Sequence, residues 1–398
     1  MAILTAFATL VAVVLLAPTL SDVLSLARVA FDPGRHRSGP AGASQRLLFL
    51  VPAHNEELLL GACVRSLLAL RYPQALFRVV VIADNCSDRT ANLARAAGVE
   101  CLERHDTQHP GKPRAIAWAL EQLPVAEFDA VVIVDADTIA DPDFARELAA
   151  AGPLRGRAAQ GYFGLSNPDE SPITRMSAVL AAATHRFAYP LKRRAGLNVP
   201  LVGNGMAVGT DVLAEHGWHA FSICEDWEMY ALLTERGVAI VGAPKARIYA
   251  QEARSLGESA TQRERWTAGK VAVLARVGPR LCASRRLGIA QKLDALAELA
   301  APGPVLHLGA VAVLGLGTLL LHPPGALWLA GVLAGSLVRP AVYAAAALAT
   351  EPRPGRALVA FAFLPVYAVW RIAMAARALR LVRGGPWIRT QRHQHGGA

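Results

Sequence analysis

Apolar positions follow two different rhythms along this chain. Residues 1–20, MAILTAFATLVAVVLLAPTL, contain no charged side chain, and a stretch of that length just suffices to cross a bilayer as a helix. It lacks the basic start of a cleaved leader, so it predicts an anchor. Segments 302–322, 325–349 and 357–376 repeat the pattern near the other end, the second of them interrupted by Arg339-Pro340. Between 46 and 278 the runs shorten. RLLFLVPAHNEE, FRVVVIADNCSDRT and FDAVVIVDADT each read as a buried strand ending in a polar turn, and helical patterns at Leu58–Leu70 and Thr90–Ala97 follow the first two. Continuous apolar strands alternating with helices predict a mostly parallel sheet with helices on both faces. Ligands of such sheets sit outside the carboxyl ends of the strands, where all three polar turns fall.

These rhythms divide the chain into an N-terminal transmembrane anchor (1–28), a linker rich in Pro, Gly and Ser (29–45), an α/β domain (46–278), an amphipathic helix lying in the membrane interface (279–300), about three transmembrane helices (301–376) and a basic tail (377–398). In the interfacial stretch Ile289, Leu293, Leu296 and Ala300 recur at helical spacing opposite Lys292, Asp294 and Glu298. Arg28, Arg35 and Arg37 favour the cytoplasm for the α/β domain, which predicts a multi-pass protein of the cytoplasmic membrane. The tail, with Arg377, Arg380, Arg383, Arg389 and Arg392, prefers the same side, whereas one span before the domain and three after it would put the tail outside. The number of spans is therefore left open.

Composition agrees. With 53% hydrophobic residues and a mean hydropathy of +0.31, the chain is too apolar to be wholly soluble. A net charge of +10 invites a nucleic-acid reading, but no helix-turn-helix, zinc-finger or RNA-binding pattern is present, and basic membrane proteins are common. The five cysteines are scattered without a C-x-x-C pair, which suits a reducing compartment.

The candidate chemistry lies in acidic strand ends. AVVIVDADTIADPD places Asp135 and Asp137 directly after four aliphatics, and Asp84 ends the preceding strand. Carboxylates there need a cation, a hydrogen-bond network or a polar ligand to offset desolvation. One or two of them, with the oxygens of a substrate phosphate, suffice for Mg2+ or Mn2+. Lys112, in a glycine turn, can reach a phosphate as a point charge. Glu225 and Asp226, in FSICEDWEMY, sit among bulky apolar residues, where a carboxyl acquires the raised pKa of a general base. In TQRERWTAGK, Gln262 and Trp266 share a helical face with Arg265 nearby. Each motif also has a plain alternative: a helix cap at Asp84, a buried salt bridge at Glu225-Asp226, an exposed turn at Gln262–Trp266, and a solvated surface at Lys192-Arg193-Arg194.

Taken in order, VPAHNEE, ADNCSDRT, DADT, GNGMAVG, CEDWE and QRERW resemble the processive, membrane-bound branch of the family 2 glycosyltransferases. That branch includes cellulose, chitin, hyaluronan and poly-N-acetylglucosamine synthases and ceramide glucosyltransferases. The resemblance covers about 46–270. It implies a GT-A type nucleotide-sugar-binding domain and inverting transfer from a nucleotide-diphosphate sugar, such as UDP-glucose or UDP-N-acetylglucosamine, to a lipid or glycan acceptor at the bilayer. By this analogy Asp84 contacts the base, Asp135 the ribose, and Asp137 the metal on the diphosphate. Asp226 is the base for the acceptor hydroxyl, and Arg265 steadies the leaving diphosphate. Trp266 stacks near the acceptor, with Gln262 and Glu225 on the same side. Gly203, Asn204 and Gly205 line the acceptor side, and the backbone of Pro52, Ala53, His54, Asn55 and Glu56 faces the nucleotide. Cys224 departs from the pattern, standing where Thr often precedes the Glu-Asp pair. Processive synthesis and single addition both stay open. The rival expectation is a non-catalytic membrane protein that keeps the fold as a binding or assembly module. A nucleotidyltransferase is disfavoured, because no Gly-rich phosphate loop bearing Arg and Lys occurs near the start.

Overall fold

A computed structural model describes residues 2–32 and 44–380. Most of the expected linker (33–43) and basic tail (381–398) lie outside the described residues. The described chain forms two compact units, one of residues 44–167 and 198–252, the other of 2–32, 168–197 and 253–380.

The first unit is built on one eight-stranded sheet. Its strands are β1 (Leu47–Ala53), β2 (Phe77–Asp84), β3 (Glu100–Arg104), β4 (Ala130–Ile133), β5 (Thr138–Ala140), β6 (Arg157–Leu165), β7 (Met206–Gly209) and β8 (Ala239–Ala250). The spatial order is β3-β2-β1-β4-β7-β6-β8-β5. Strands β3, β2, β1 and β4 run parallel, whereas β7 lies antiparallel between β4 and β6. β6 and β8 also pair in parallel, and β5 lies antiparallel on β8, so the sheet is mixed with parallel pairings in the majority, as expected; the three strands legible in the sequence all belong to its parallel half. Leu47 to Val51 have no exposed surface, so β1 is covered on both faces. Pro52 stands beyond the last residue of β1 paired with β4, where its missing N–H removes no bond from that ladder. Chain order reverses at β1, with β2 on one side and β4 on the other, which makes the carboxyl ends of these strands the natural crevice.

The second unit is helical. Among the described residues, three helices are long and apolar enough to cross a membrane: Ile3–Phe31, Pro304–Leu321 and Ala326–Ala349. A pair bent by 53°, Pro354–Phe361 and Leu364–Ala378, makes a fourth if it acts as one span. Segment 168–197 and the helix Leu256–Ala283, which the sequence pattern groups with the α/β domain, fall in this unit. The charge that interrupts the third long helix is not left bare: Arg339 lies 3.0 Å from Asp22 and 2.7 Å from Glu298, as a cation among apolar helices requires.

The helix Ile289–Ala300 is amphipathic, but its two faces are arranged differently from expectation. Ile289 and Leu293 are 77% and 55% exposed, whereas Asp294 and Glu298 turn inward and pair with the fully buried Lys192. The Ser21 hydroxyl donates to Asp294, and Lys270 donates to the Glu298 carbonyl at 2.7 Å. Lys192 is thus not part of a solvated surface. Burial opposes its charge, yet Asp294 and Glu298 together hold its pKa above the usual lysine range.

Candidate active site

The turns after β1 and β2 are joined by direct hydrogen bonds. The His54 ring lies 2.7 Å from the Asp84 carbonyl, and the Ser87 N–H donates to Asn55 Oδ1 at 2.8 Å. The Glu56 N–H donates to Thr90 Oγ1 at 2.8 Å. Asn55 and Asn85 both adopt left-handed backbone conformations, φ 54° and 50°, which asparagine tolerates better than most residues. Pro52 is half-buried and Ala53 buried at the mouth of this double turn.

Asp84 is held from two sides. Arg104, at the end of β3, donates to its Oδ1 at 2.6 Å, and the Gly111 N–H donates to its Oδ2 at 3.1 Å. Arg104 also reaches Asp106 and the His109 carbonyl, at 2.7 and 2.8 Å. The segment between β3 and Lys112 is thereby folded back onto the end of β2. Neither Arg104 nor Gly111 was evident from sequence as a site residue.

One residue beyond Gly111 is the hub of the site. Lys112 Nζ lies 2.7 Å from Asp135 Oδ1, 2.6 Å from the Gly203 carbonyl and 3.2 Å from Glu225 Oε1. Burial works against its charge, but Asp135, Glu225 and Asp226 outweigh this and raise its pKa. Through Gly111 and Lys112, the acidic end of β2 is linked to the acidic end of β4, the GNG loop and the helix Glu225–Glu235.

Asp226 is half-buried in the first turn of that helix. Its carboxyl is raised to about 7, first by burial and then by the neighbouring Glu225 carboxylate. The Trp227 N–H, Lys112 and the Cys224 side chain oppose that rise. The buried Glu228 fixes the preceding loop by accepting from the Ser222 N–H at 2.7 Å.

Asn204 and Gly205 act as supports. Asn204 is 2% exposed; its side chain accepts from the Asp135 N–H at 3.2 Å and donates to Thr138 Oγ1 at 2.7 Å, bracing the turn that carries Asp137. Gly205 has φ +64°, and a Cβ there would stand 2.6 Å from Ile248 Cδ1, so the close approach it permits is to the core. At Gly203, φ +76°, a Cβ would lie 3.4 Å from both Asp226 Oδ2 and Lys112 Nζ, so this glycine does open onto the site.

Among the described residues, no three or more His, Cys, Asp or Glu side chains are placed to hold a metal ion. Asp137 is half-buried at the mouth of the β4–β5 turn. It suits the mode in which a single protein carboxylate shares a magnesium-like ion with substrate phosphates. Gln262, Arg265 and Trp266 all lie on the helix Leu256–Ala283 of the helical unit. Trp266 is 38% exposed, and its ring is covered by the Arg263 guanidinium at 4.7 Å.

The α/β sheet thus holds one acidic strand end against Lys112 and another against Arg104, with apolar helices elsewhere in the chain. The glycosyltransferase like family 2 model matches residues 45–269. This chain belongs to that family. It is 24% identical over 230 residues to "Probable glycosyltransferase YdaM" of Bacillus subtilis, a match covering 55% of this chain and 54% of that protein. It is 26% identical over 221 residues to the beta-monoglucosyldiacylglycerol synthase of Trichormus variabilis, covering 53% and 46%. The chain thus spans about half the length of the curated relatives it matches. A mannosyltransferase from Pyrobaculum calidifontis, solved in complex with GDP-Man and Mn2+, superposes with a TM-score of 0.52 over 91% of this chain and 99% of that one at 18% identity, a likeness of fold.

Proposed function

We propose that this protein is an inverting glycosyltransferase that moves a sugar from a nucleotide-diphosphate donor, UDP-linked, to a lipid or growing glycan acceptor at the membrane. The observation that carries this reading is the convergence on Lys112 of Asp135, Gly203 and Glu225, with Asp226 beside Gly203 and its carboxyl raised to about 7. Transfer from such a donor requires an aligned acceptor oxygen, a base within hydrogen-bond reach and neutralised charge on the departing diphosphate. A single base suffices for direct attack with inversion.

In this reading Asp226 takes the acceptor proton, and Glu225 and Gly203 line the acceptor side. Lys112 faces the phosphates. Asp135 receives the ribose hydroxyls, and Asp84, held by Arg104, faces the base. The first-strand turn, Pro52 to Glu56, walls the nucleotide. Asp137 holds the divalent ion, Mg2+ or Mn2+, which when bound neutralises the diphosphate. Arg265 supports the leaving group, while Trp266 and Gln262 serve the acceptor. The α/β domain faces the cytoplasm, and the helix Ile289–Ala300 lies in the interface with Ile289 and Leu293 toward lipid. These two exposed apolar side chains support that placement.

A donor screen tests the proposal. Purified full-length protein in detergent is given UDP-glucose, UDP-N-acetylglucosamine, GDP-mannose and related donors, with and without Mg2+ or Mn2+, and nucleotide release is measured. Metal-dependent release with one donor, lost in Asp226→Asn, is the expected result. No release from any donor with any lipid or glycan acceptor, from protein that binds no nucleotide, returns the chain to a non-catalytic binding role.

A further inference from the structure

Lys112 is already engaged on three sides. Its Nζ donates to the Gly203 carbonyl at 2.6 Å and lies at ion-pair distance from Asp135, at 2.7 Å, and from Glu225, at 3.2 Å. If this is the cation that meets a diphosphate, as proposed above, the diphosphate competes with these carboxylates for it. The three are not equally held. The Gly203 carbonyl belongs to a backbone turn anchored through its neighbours: Asn204 is bonded to Asp135 and Thr138, and the Gly205 N–H donates to the Ile133 carbonyl at 2.8 Å. Asp135 makes the shorter of the two ion pairs and is fixed at its backbone by Asn204. Glu225 makes the longest of the three contacts, through a side chain with one more rotatable bond, and an arriving polyanion repels it.

We propose that Lys112 is a donor-operated latch on Glu225: in the nucleotide-free protein it ties Glu225 down, and the diphosphate of the donor takes over the ammonium and releases the Glu225 carboxylate toward the acceptor side next to Asp226. This deepens the proposed function and rests on its reading of Lys112 as the phosphate-facing cation. No covalent step is involved; the exchange is one carboxylate for one phosphate on the same ammonium. It makes binding ordered, donor before acceptor, because the acceptor-facing carboxylate is engaged until the donor arrives.

The test is a binding cycle on the full chain in detergent with Mg2+, using UDP and GDP as diphosphate probes and uridine and guanosine as phosphate-free controls. Wild type, Glu225→Gln, Lys112→Met and the double variant are compared. Removing the competing carboxylate is expected to tighten the diphosphate about five- to tenfold, the worth of a partly buried ion pair, and to leave nucleoside affinity unchanged. In the Lys112→Met background the same change should gain less than about twofold. Equal gains in both backgrounds mean plain charge repulsion and overturn the latch, as does no gain at all. Binding of the nucleoside controls shows that each variant keeps its nucleotide fold. If Lys112→Met does not fold, Lys112→Gln, which keeps a donor for the Gly203 carbonyl, completes the cycle. Failure of wild type to bind either diphosphate refutes the proposed function itself, a result distinct from failure of the latch.

Discussion

Arg104 Nη1 lies 2.6 Å from Asp84 Oδ1, with the two side chains only 6% and 5% exposed. The pair joins the ends of β3 and β2. The same guanidinium holds Asp106 and the His109 carbonyl, so the loop that follows returns to present the Gly111 N–H to Asp84 and Lys112 to the carboxylates beyond. A strand at the edge of the sheet thereby sets the position of the cation at its centre.

Removing Arg104 leaves Asp84 as a buried, uncompensated carboxylate. Arg104→Met is expected to destabilise the protein by about 3 kcal/mol or more, and Asp84→Asn in the same chain to restore part of the loss. Thermal unfolding of the two single variants and the double variant measures the coupling. Simple additivity would show that the pair does not act as a unit.

Asp226 predicts a pH dependence with a definite sign. A base works deprotonated, so kcat/KM should rise with pH through an apparent pKa of about 7. The same shift acts oppositely on stability. The folded carboxyl binds its proton more tightly than the unfolded one, so stability falls as pH rises from the unfolded value, about 4, toward 7. Asp226→Asn should therefore abolish turnover, by about 10²-fold or more, while raising neutral-pH stability by about 1–2 kcal/mol, a figure reduced for partial solvent screening. A rate profile at fixed donor and an unfolding series from pH 5 to 8 check both halves.

The reading from sequence succeeded where burial imposes a simple pattern. β1, β2 and β4 are runs buried on both faces, so their aliphatics stand out, and the acids that end them do so by contrast. β3, with the sequence ECLER, is only half-buried and alternates weakly, which hid both the strand and Arg104. β6 and β8 are diluted by Gly, Ala and Pro; in β6 a Cβ at Gly161 would stand 2.9 Å from the Ala246 carbonyl of β8. β7 is four residues long and β5 three, and their antiparallel pairings are what make the sheet mixed. Lys112 was legible as a candidate site cation in a glycine turn. Its three partners were not, because each lies in a distant part of the chain. Asn204 and Gly205 were read as acceptor-facing, yet a motif cannot show that one braces a turn and the other yields to Ile248.

Gly205 offers a test of that support. Alanine there meets Ile248 Cδ1 at 2.6 Å and must hold φ +64°. A cost of about 2–3 kcal/mol follows from overpacking plus left-handed backbone. Gly205→Ala combined with Ile248→Val, which trims the clashing methyl group, should recover the steric part alone. No loss of thermal stability in Gly205→Ala would mean that the loop is free to move away from the core.

In the helical unit, Lys192 is the buried counter-ion of Asp294 and Glu298. Burial favours a neutral Glu298, but Arg339, Lys192 and Lys270 reverse this and hold its pKa well below the usual carboxylate range. Lys192 is shifted upward for the complementary reason. A depressed carboxylate contributes stability above its unfolded pKa and loses it as pH falls. A raised ammonium contributes below its unfolded pKa and loses it as pH rises. The pair therefore stabilises fully from about pH 5 to about pH 10, between the unfolded values of the two groups. Lys192→Met strands Asp294, while Glu298 keeps Arg339, and should cost about 3–5 kcal/mol, whereas Lys192→Met with Asp294→Leu removes the charge with its partner and should cost much less. Unfolding of the detergent-solubilised chain at pH 7 distinguishes the two. Equal destabilisation by both variants would show that packing at this position, and not the buried charge, holds the helix Ile289–Ala300 in place.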